Sequence, residues 1–407
     1  MIVLYRIEEV IIKMKKIIKN IDKPLFIISF LLFIFGLIMI FSASNITAFM
    51  KYYASPYRYF YKQLIFLTAS FILSLFMIRF HSKSYHLITN GLIYIIGATL
   101  ALLLVYGSVK NKAISWIDLG FFSVQPSEFA KIIIIVWLAC YYDKYKDSLD
   151  QYVKVLYPIV IAAIIAGLIF AQPDLGTTII FVLIVASIFF MAPISKEIRN
   201  KILIIVMGAI VIATLVLVCG GSSLLTEGQK QRFDFSNPCS TEKFYSTGNQ
   251  VCNGYIAINN GKFFGVGLGN STQKYLYLPE AHTDFIFAII MEELGYAGAI
   301  VILFLYYLLI GRIIKIARDS YNTRGFLICM GVAVYIVVHI FVNLGGIFGI
   351  MPMTGVPLPF MSYGGSFAMC LVFALTLVQR INVENKMYSE KKDKKIKKVK
   401  QIVKKQK

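Results

Sequence analysis

Nine consecutive residues, Leu278–Ile286, combine groups that could do acid–base chemistry at the edge of an apolar segment. Glu280, His282 and Asp284 fall within them, and Asp284 directly precedes an apolar run from Phe285 to Ile310. A charge is costly inside hydrocarbon, whereas at the water-facing end of a span it is tolerated and often functional. There, the free N–H groups and the dipole of a helix N-terminus would keep a carboxylate ionised at neutral pH. Asp284 is therefore a candidate base, with helix capping as the alternative.

Three further polar clusters interrupt otherwise apolar sequence, at 125–131, 172–177 and 353–366. In the first cluster Glu128 and Lys131 are one helical turn apart and could form an ion pair. Asp174 lies in the second cluster, and Ser362 and Tyr363 lie in the third. Each cluster alone could be a cap, a turn or a structural ion pair. All of them share one side of the membrane in the orientation inferred below, which favours a common polar active site.

The elements that must position these clusters are membrane-spanning helices. Hydrophobic residues make up 58% of the 407 residues, and apolar runs near the ~20-residue spanning length recur along the chain. The sequence therefore predicts an all-α integral membrane protein with one large extracytoplasmic loop, 221–283, between helices seven and eight. Hydropathy predicts about ten spans, at residues 24–44, 61–79, 85–105, 126–142, 154–171, 176–193, 202–220, 284–311, 325–343 and 362–379.

The distribution of basic residues between these spans predicts the orientation. Lysine and arginine residues are concentrated in 1–23, 196–201, 312–324 and 380–407. The short segments 171–176 and 344–361 contain neither. By the positive-inside rule both termini face the cytoplasm and the large loop faces outside. The first apolar run follows a basic stretch and has no small-residue cleavage site, which predicts a retained helix rather than a signal peptide.

The large outer loop carries cations and glycines that could bind a phosphate. Arg232 and Lys274 are among its basic residues, and Lys274 closely follows the glycine-rich series Gly265–Asn270. Backbone N–H groups of such a series could cradle a phosphate, although a simple turn between short helices is the alternative. Cys239 and Cys252 also lie in this loop, where a disulfide between them is chemically allowed.

The net charge of +20 does not indicate a nucleic-acid partner. Residues 380–407 hold one arginine and eleven lysines against three acidic residues, with Tyr388 as their single aromatic residue. A basic segment beside the last span is typical of a tail that lies along anionic lipid head groups. We therefore divide the chain into a basic cytoplasmic N-terminus (1–23), a polytopic membrane domain (24–379) and a basic cytoplasmic tail (380–407).

Taken together, the motifs resemble the SEDS family, the shape, elongation, division and sporulation proteins of FtsW and RodA type. The residues that carry the resemblance span nearly the whole chain and are Trp116–Gly120, Gln125–Glu128, Gln172–Thr177, Leu278–Phe287, Glu292–Gly295 and Leu358–Ser366. The segment Gly267–Lys274 is closer to the division branch than to the elongation branch. The resemblance implies a bacterial cytoplasmic-membrane enzyme that polymerises lipid II into glycan chains beside a class B penicillin-binding protein and other division or elongation membrane proteins.

The chemistry that the resemblance implies assigns roles to the candidate residues. Lipid II carries its sugar on an α-linked diphosphate and the bond formed is β-1,4, so the transfer inverts the anomeric centre. Asp284 would take the proton from the acceptor hydroxyl. The departing diphosphate would be neutralised by Lys274, Arg232 or Lys131, or by a divalent ion such as Mg²⁺ or Mn²⁺ on Glu128 or Asp284. Supporting roles in substrate binding fall to Asp174, Glu280, His282, Ser362 and Tyr363.

Two other functions use the same residues. A lipid II flippase would use them as a polar path, and it predicts an accessible cavity on the cytoplasmic side. A non-catalytic division scaffold would not need an ionised Asp284. Three positions also depart from the family pattern: Ser115 replaces a usual arginine, Lys262 a glycine and Phe367 a serine. A cation role at the first of them would fall to Lys110 or Lys112.

Overall fold

The computed structural model describes residues 14–106, 108–110, 113–118, 120, 123–219, 237–244 and 248–405. The helices before the outer loop are α1 (Lys23–Tyr52), α2 (Arg58–Met77), α3 (Tyr85–Tyr106), α4 (Pro126–Lys144), α5 (Tyr152–Phe170), α6 (Leu175–Met191) and α7 (Lys196–Cys219). The later helices are α8 (Thr241–Phe244), α9 (Asn249–Gly261), α10 (Ile286–Arg318), α11 (Thr323–Ile347) and α12 (Gly365–Lys405).

Ten of these helices, α1–α7 and α10–α12, lie where hydropathy predicts the ten spans. Within the described residues, seven of the ten are long and apolar enough to cross a membrane. The other three are α4, which carries buried charges, α6, which has 17 residues, and α7. The polytopic helical membrane fold is therefore confirmed, whereas the number ten stays a prediction.

The described chain also contains three short strands that the sequence did not predict. They are β1 (Ser108–Lys110), β2 (Ala113–Asp118) and β3 (Ser123–Val124), which form one antiparallel sheet in that order. This sheet connects α3 to α4. Because side chains alternate across a strand, Trp116 and Asp118 of β2 share a face, and both line the cavity described below.

Helices α4 and α11 form the centre of the bundle. Helix α4 contacts α3, α5, α6, α11 and α12, and most of its residues are buried. Helix α11 contacts α4, α6, α10 and α12. By contrast, α2 and α3 expose many large apolar side chains, as a surface facing lipid does. The polar residues at the start of α4 are thus held by the most enclosed helix of the fold.

Two polar ties between α1 and α10 mark the thickness of the apolar layer. At one end Arg312 Nε donates to Asp22 Oδ1 at 2.8 Å. At the other end Ser42 Oγ donates to Glu293 Oε1 at 2.7 Å. Asp22 and Ser42 are twenty residues apart, which corresponds to ~30 Å of helix and to the hydrocarbon thickness of a bilayer.

Helix α10 is broken at Gly295, whose φ of 66° and ψ of −169° are not helical. In an unbroken helix the N–H groups of Tyr296 and Ala297 would bond to the carbonyls of Glu292 and Glu293. Instead, these two N–H groups donate to the carbonyl oxygens of residues 262 and 263, both at 3.0 Å. The two released carbonyls accept from the N–H groups of residues 266 and 267. The segment 262–267 thus takes over the hydrogen bonds of the broken turn.

The C-terminal basic segment is helical in the structure. Helix α12 contains most of the last predicted span and continues without interruption to Lys405, and the division into domains at residue 379 stays a prediction. The 41 residues of α12 correspond to ~62 Å, about twice the hydrocarbon thickness.

In the outer loop the structure joins Cys239 to Cys252 by a disulfide, which connects α9 to the segment before α8.

Candidate active site

A cavity of about 360 Å³ lies at the predicted outer ends of the helices. Four of the five carboxylates in its lining are sequence candidates, namely Glu128, Asp174, Glu280 and Asp284, and Asp118 is the fifth. Among the candidates of the third polar cluster, Tyr363 also lines it. The structure therefore brings together residues from four separate sequence clusters, as the sequence predicts.

Hydrogen bonds position both the backbone carbonyl and the side chain of Asp284. The amide of Asn343, on α11, donates to the Asp284 carbonyl oxygen at 2.7 Å and to the Val356 carbonyl oxygen at 2.8 Å. The hydroxyl of Thr283 lies 3.1 Å from Asp284 Oδ1 and 2.9 Å from Glu280 Oε2. Helix α10 begins at residue 286, and its N-cap residue makes no side-chain cap hydrogen bond. Asp284 thus lies at the helix N-terminus, half-buried against the cavity.

Glu128 and Lys131 form a buried ion pair, with 2.8 Å between Glu128 Oε1 and Lys131 Nζ. Lys131 Nζ is also 3.0 Å from His339 Nε2, and His339 Nδ1 is 2.7 Å from the Tyr335 carbonyl oxygen. Because an ammonium group can only donate, His339 Nε2 must accept and Nδ1 must carry the proton. The second carboxylate oxygen of Glu128 is buried and has no partner in the described structure. The cavity is therefore lined by a carboxylate whose second oxygen makes no hydrogen bond within the described protein.

Asp174 serves both structural and cavity roles. Its Oδ1 accepts from the Thr177 N–H at 3.1 Å and so caps α6. Its Oδ2 accepts from Gln125 Nε2 at 3.1 Å, which joins α6 to the start of α4. Because Asp174 also lines the cavity, capping and ligand binding are compatible at this residue.

Lys274 does not lie at the cavity. Its Nζ donates to Glu293 Oε1 at 3.0 Å, to the Gly269 carbonyl oxygen at 2.5 Å and to Ser42 Oγ at 3.3 Å. An ammonium group has three donors, and all three are used here. The residue that precedes Glu293 in α10, Glu292, accepts hydrogen bonds from the hydroxyls of Ser271 and Thr272. The geometry thus corrects the role assigned to Lys274, which fastens the glycine-rich segment to α1 and α10.

His282 and Ser362 are also structural in this geometry. The His282 ring packs against Tyr59, with 4.4 Å between centroids, and against Tyr363 at 5.8 Å. Burial lowers the pKa of His282 to about 4, although the Glu280 carboxylate opposes the shift. The imidazole is therefore neutral at physiological pH and cannot act as a cation for a diphosphate. Ser362 Oγ accepts from the Leu358 N–H at 2.8 Å and closes a turn. Arg232 lies outside the described residues.

Lys62, which sequence reasoning missed, is the cation in the described part of the cavity lining. Its signal was its position near the predicted outer start of the second span, where a lysine opposes the positive-inside rule. Of the three departures from the family pattern, Phe367 also lines the cavity and packs on His339, with ring centroids 5.0 Å apart. Lys262 has a φ of 46°, a conformation that favours glycine.

The carboxylates suit a hard divalent ion in chemistry but do not form a protein cage for one. In the described part of the chain, no group of three or more histidine, cysteine, aspartate or glutamate residues could hold a metal. Mg²⁺ commonly uses one or two carboxylates together with substrate phosphates. The unpartnered oxygen of Glu128 fits such a partial site.

The fold and cavity define a polytopic membrane protein with a carboxylate-rich site at one membrane boundary. Comparison with known families gives the same result, because the FtsW/RodA/SpoVE family, described as "Cell cycle protein", matches residues 22–387. The chain belongs to this family. The matched range includes the cavity carboxylates and the broken turn of α10.

Curated relatives agree with this assignment, and solved structures share the fold. The chain is 38% identical to a Bacillus subtilis protein named "Probable peptidoglycan glycosyltransferase FtsW", over 94% of this chain and 95% of that protein. It is 33% identical to a Coxiella burnetii protein of the same name, over 86% and 92%. A chain from a solved peptidoglycan synthase complex matches with a TM-score of 0.71 and 23% identity, covering 90% of this chain and 98% of that one. Rod shape determining protein RodA of Thermus thermophilus matches with a TM-score of 0.62 and 23% identity, covering 90% and 97%.

Proposed function

We propose that this protein is an inverting peptidoglycan glycosyltransferase that joins lipid II units and uses Asp284 as its base. The observation that carries the proposal is the position of Asp284 in the outer cavity, beside carboxylates from two other sequence clusters, Glu128 and Asp174. Relatives that match most of the chain are named peptidoglycan glycosyltransferases, which supports the same reaction class. A cavity at the outer membrane boundary also suits a substrate with a polar head and a membrane-bound tail.

In the proposed reaction the acceptor sugar hydroxyl attacks the anomeric carbon of the donor. A bond forms between the acceptor oxygen and that carbon, the carbon–oxygen bond to the diphosphate breaks, and the hydroxyl proton passes to Asp284. General-base catalysis of this kind typically contributes 10²–10⁴-fold. Lys62 lines the same cavity, and its ammonium group would stabilise the departing diphosphate.

A divalent cation, Mg²⁺ or Mn²⁺, is part of the proposal. It would be held by Glu128 or Asp284 together with substrate phosphate, and it would supply charge neutralisation at the diphosphate. The protein's own contribution would then be to position the two lipid-linked sugars on either side of the carboxylates.

We further propose that the protein works in the bacterial cytoplasmic membrane with both termini in the cytoplasm, beside a class B penicillin-binding protein. A chain of a peptidoglycan synthase complex that couples polymerization to crosslinking has the same fold. The exposed apolar faces of α2 and α3 offer surface for polyprenyl tails or for a partner helix.

The outer cavity is separate from the cavity on the predicted cytoplasmic side, and this separation favours polymerisation over lipid transport. A second cavity does exist, lined by residues of α3, α4 and α5, and it lies on the predicted cytoplasmic side. The two cavities share no lining residue. On α4, the turns between Glu128 and Trp137 bury Ile132, Ile134 and Ile135 in the apolar core. A polar path between the cavities would have to disrupt this packing.

The test is Asp284→Asn, which keeps the shape of the side chain but removes its basicity. We expect at least a 100-fold loss of glycan polymerisation, the lower end of general-base contributions. The assay uses the purified protein with its penicillin-binding partner, labelled lipid II and a gel that resolves glycan length. The matched control is Asp319→Asn, at the exposed opposite end of α10, which should keep full activity.

Lipid movement across liposomes should be measured on the same preparations. Near-normal glycan strands from the Asp284→Asn protein would exclude Asp284 as the base. Lipid movement without polymer from the unaltered protein would favour the flippase. Polymer from the unaltered protein, none from the variant and equal partner binding by both would exclude the scaffold.

A further inference from the structure

The cavity on the predicted cytoplasmic side is independent of the proposed active site. Its volume is about 380 Å³, and it is lined by the early residues of α3 and α5 and the last turns of α4. The lining includes Trp137, Tyr141, Tyr145, Tyr157, Lys144 and Lys154. Neither the sequence motifs nor the proposed reaction uses any of these residues.

Aromatic rings form the walls of this cavity. Tyr141 packs against Trp137, Tyr145 and Tyr157, with centroid distances of 5.7, 4.8 and 5.7 Å. Trp137 Nε1 donates to Asn90 Oδ1 at 3.0 Å, which fixes the indole between α3 and α4. A hydrogen bond of 2.9 Å joins the hydroxyls of Tyr94 and Tyr157. The walls are thus held in place by contacts between three helices.

Two lysines lie over one of these rings without a counter-charge. Lys144 Nζ is 5.1 Å and Lys154 Nζ is 5.5 Å from the centroid of Tyr145. In the described chain, neither lysine has an acidic group within 4.0 Å, and the nearby Asp143 pairs with Arg324. Both ammonium groups lie near the same ring, so an anion bound there would be attracted by both charges. The arrangement therefore favours an anion as the ligand of this cavity.

The surroundings indicate that this anion belongs to a lipid. Tyr94 and Val153 are 61% and 78% exposed, so the cavity opens beside the apolar surfaces of α3 and α5. Amphipathic aromatic rings are typical of the membrane–water interface, where lipid head groups lie. A basic pocket between membrane helices on the cytoplasmic side suits the phosphate of an anionic lipid.

We propose that this cavity binds the phosphate-bearing head group of an anionic phospholipid of the inner leaflet. Lys144 and Lys154 contact the phosphate, and the aromatic walls pack against the glycerol and the first acyl carbons. The site does not rest on the proposed polymerase function, because it shares no residue with the outer cavity.

Trp137 makes the site directly measurable. The chain has two tryptophans, so Trp116→Phe leaves Trp137 as the single tryptophan, whose emission is selected by exciting where tyrosine does not absorb. This variant is reconstituted into phosphatidylcholine nanodiscs with increasing amounts of phosphatidylglycerol that carries brominated acyl chains, which quench nearby tryptophan. We expect saturable quenching by brominated phosphatidylglycerol, and weaker, unsaturated quenching by brominated phosphatidylcholine.

Charge variants test the two lysines in the same background. Lys144→Gln with Lys154→Gln should weaken the saturable quenching roughly 25-fold, since each cation near an anionic surface contributes about fivefold. Lys144→Arg with Lys154→Arg should preserve it. The matched control is Lys83→Gln with Lys146→Gln, which removes two exposed charges from the same face outside the cavity lining.

The proposal is overturned if phosphatidylcholine quenches as strongly as phosphatidylglycerol, or if the control pair reduces quenching as much as the cavity pair. Competition separates the sources of phosphate. Inorganic phosphate or glycerol phosphate that displaces the lipid at low millimolar concentration would show a site for a soluble anion and exclude the lipid assignment. Failure of both to compete supports it.

Discussion

At the scale of single residues, the cavity separates carboxylates by what surrounds them. Asp284 lies at a helix N-terminus beside one hydroxyl, whereas Glu128 is fully buried with a lysine on one oxygen. Asp174 is held by a backbone N–H and an amide. The three carboxylates therefore differ in the groups that bond to them, and we expect a division of labour between a base and binding groups.

The Glu128–Lys131 pair gives a prediction that separates structural from catalytic effects. Lys131→Met leaves a buried carboxylate without its cation, which should destabilise the protein by roughly 3–5 kcal/mol. Glu128→Gln combined with Lys131→Met should be milder than the sum of the single changes, because no unpaired charge remains. Thermal unfolding of the four proteins in detergent measures the coupling. Strict additivity would show that the two residues act separately.

Sequence patterns predicted most of the cavity carboxylates because each stands in a short polar motif at the end of an apolar run. These patterns do not predict which residues far apart in the sequence form hydrogen bonds or ion pairs with each other. Lys274 stands beside glycines in a loop, but its bonds to Ser42 and Glu293 depend on the approach of three distant segments. His339 lies in an apolar helix with no local motif, and only the packing of α4 on α11 places it beside Lys131.

At the scale of elements, the broken turn of α10 connects the outer loop to the candidate active site. The Asn343 amide on α11 donates to the Asp284 carbonyl oxygen just before α10. Glu293 of α10 accepts from Ser42 on α1. The break at Gly295 follows Glu293, and there the segment 262–267 takes over the hydrogen bonds of the helix.

Gly295→Ala tests this break. A Cβ at Gly295 would lie 2.3 Å from the Phe263 carbonyl oxygen, and the φ of 66° is itself costly for alanine. We expect a loss of roughly 2–4 kcal/mol in stability and reduced polymerisation. The control is Gly311→Ala on the same helix, where a Cβ would have no neighbour within 4 Å. Equal thermal stability of the two variants would contradict the proposed importance of the break.

Hydropathy located the helices well but gave a single span, 284–311, across this break. Apolar content does not reveal where backbone hydrogen bonds are exchanged with another segment, since a continuous helix and a broken helix bury similar side chains. The three strands were missed for a related reason: their pairing lies between short segments without long alternation. Only the Gly295 position itself, within an otherwise helical pattern, was a local signal for a break.

At the scale of the whole molecule, ionic contacts at the predicted cytoplasmic ends of the helices join distant parts of the chain. Arg312 pairs with Asp22. Burial raises the pKa of the Asp22 carboxyl, whereas the hydrogen-bonded Arg312 guanidinium lowers it, and the net result is a lowered pKa. On the same side Arg380 pairs with Glu384, which also accepts from the Ser82 backbone N–H at 2.7 Å. These contacts fix α12 where it leaves the membrane and continues as a basic helix.

The proposed orientation can be measured on the intact protein. Asn259→Cys places a thiol on the exposed face of α9 in the outer loop, and Ser389→Cys places one on the exposed part of α12 beyond the inner ties. Cys140, Cys329 and Cys370 are buried, and Cys239 and Cys252 form a disulfide. Cys219→Ala therefore gives a background in which the introduced cysteine is the thiol that the reagent labels. A membrane-impermeant maleimide should label residue 259 in intact spheroplasts and residue 389 only after permeabilisation, because the cytoplasmic side retains the excess of lysine and arginine. The reverse pattern would place the carboxylate cavity on the cytoplasmic side and remove the proposed polymerase from its substrate's outer leaflet.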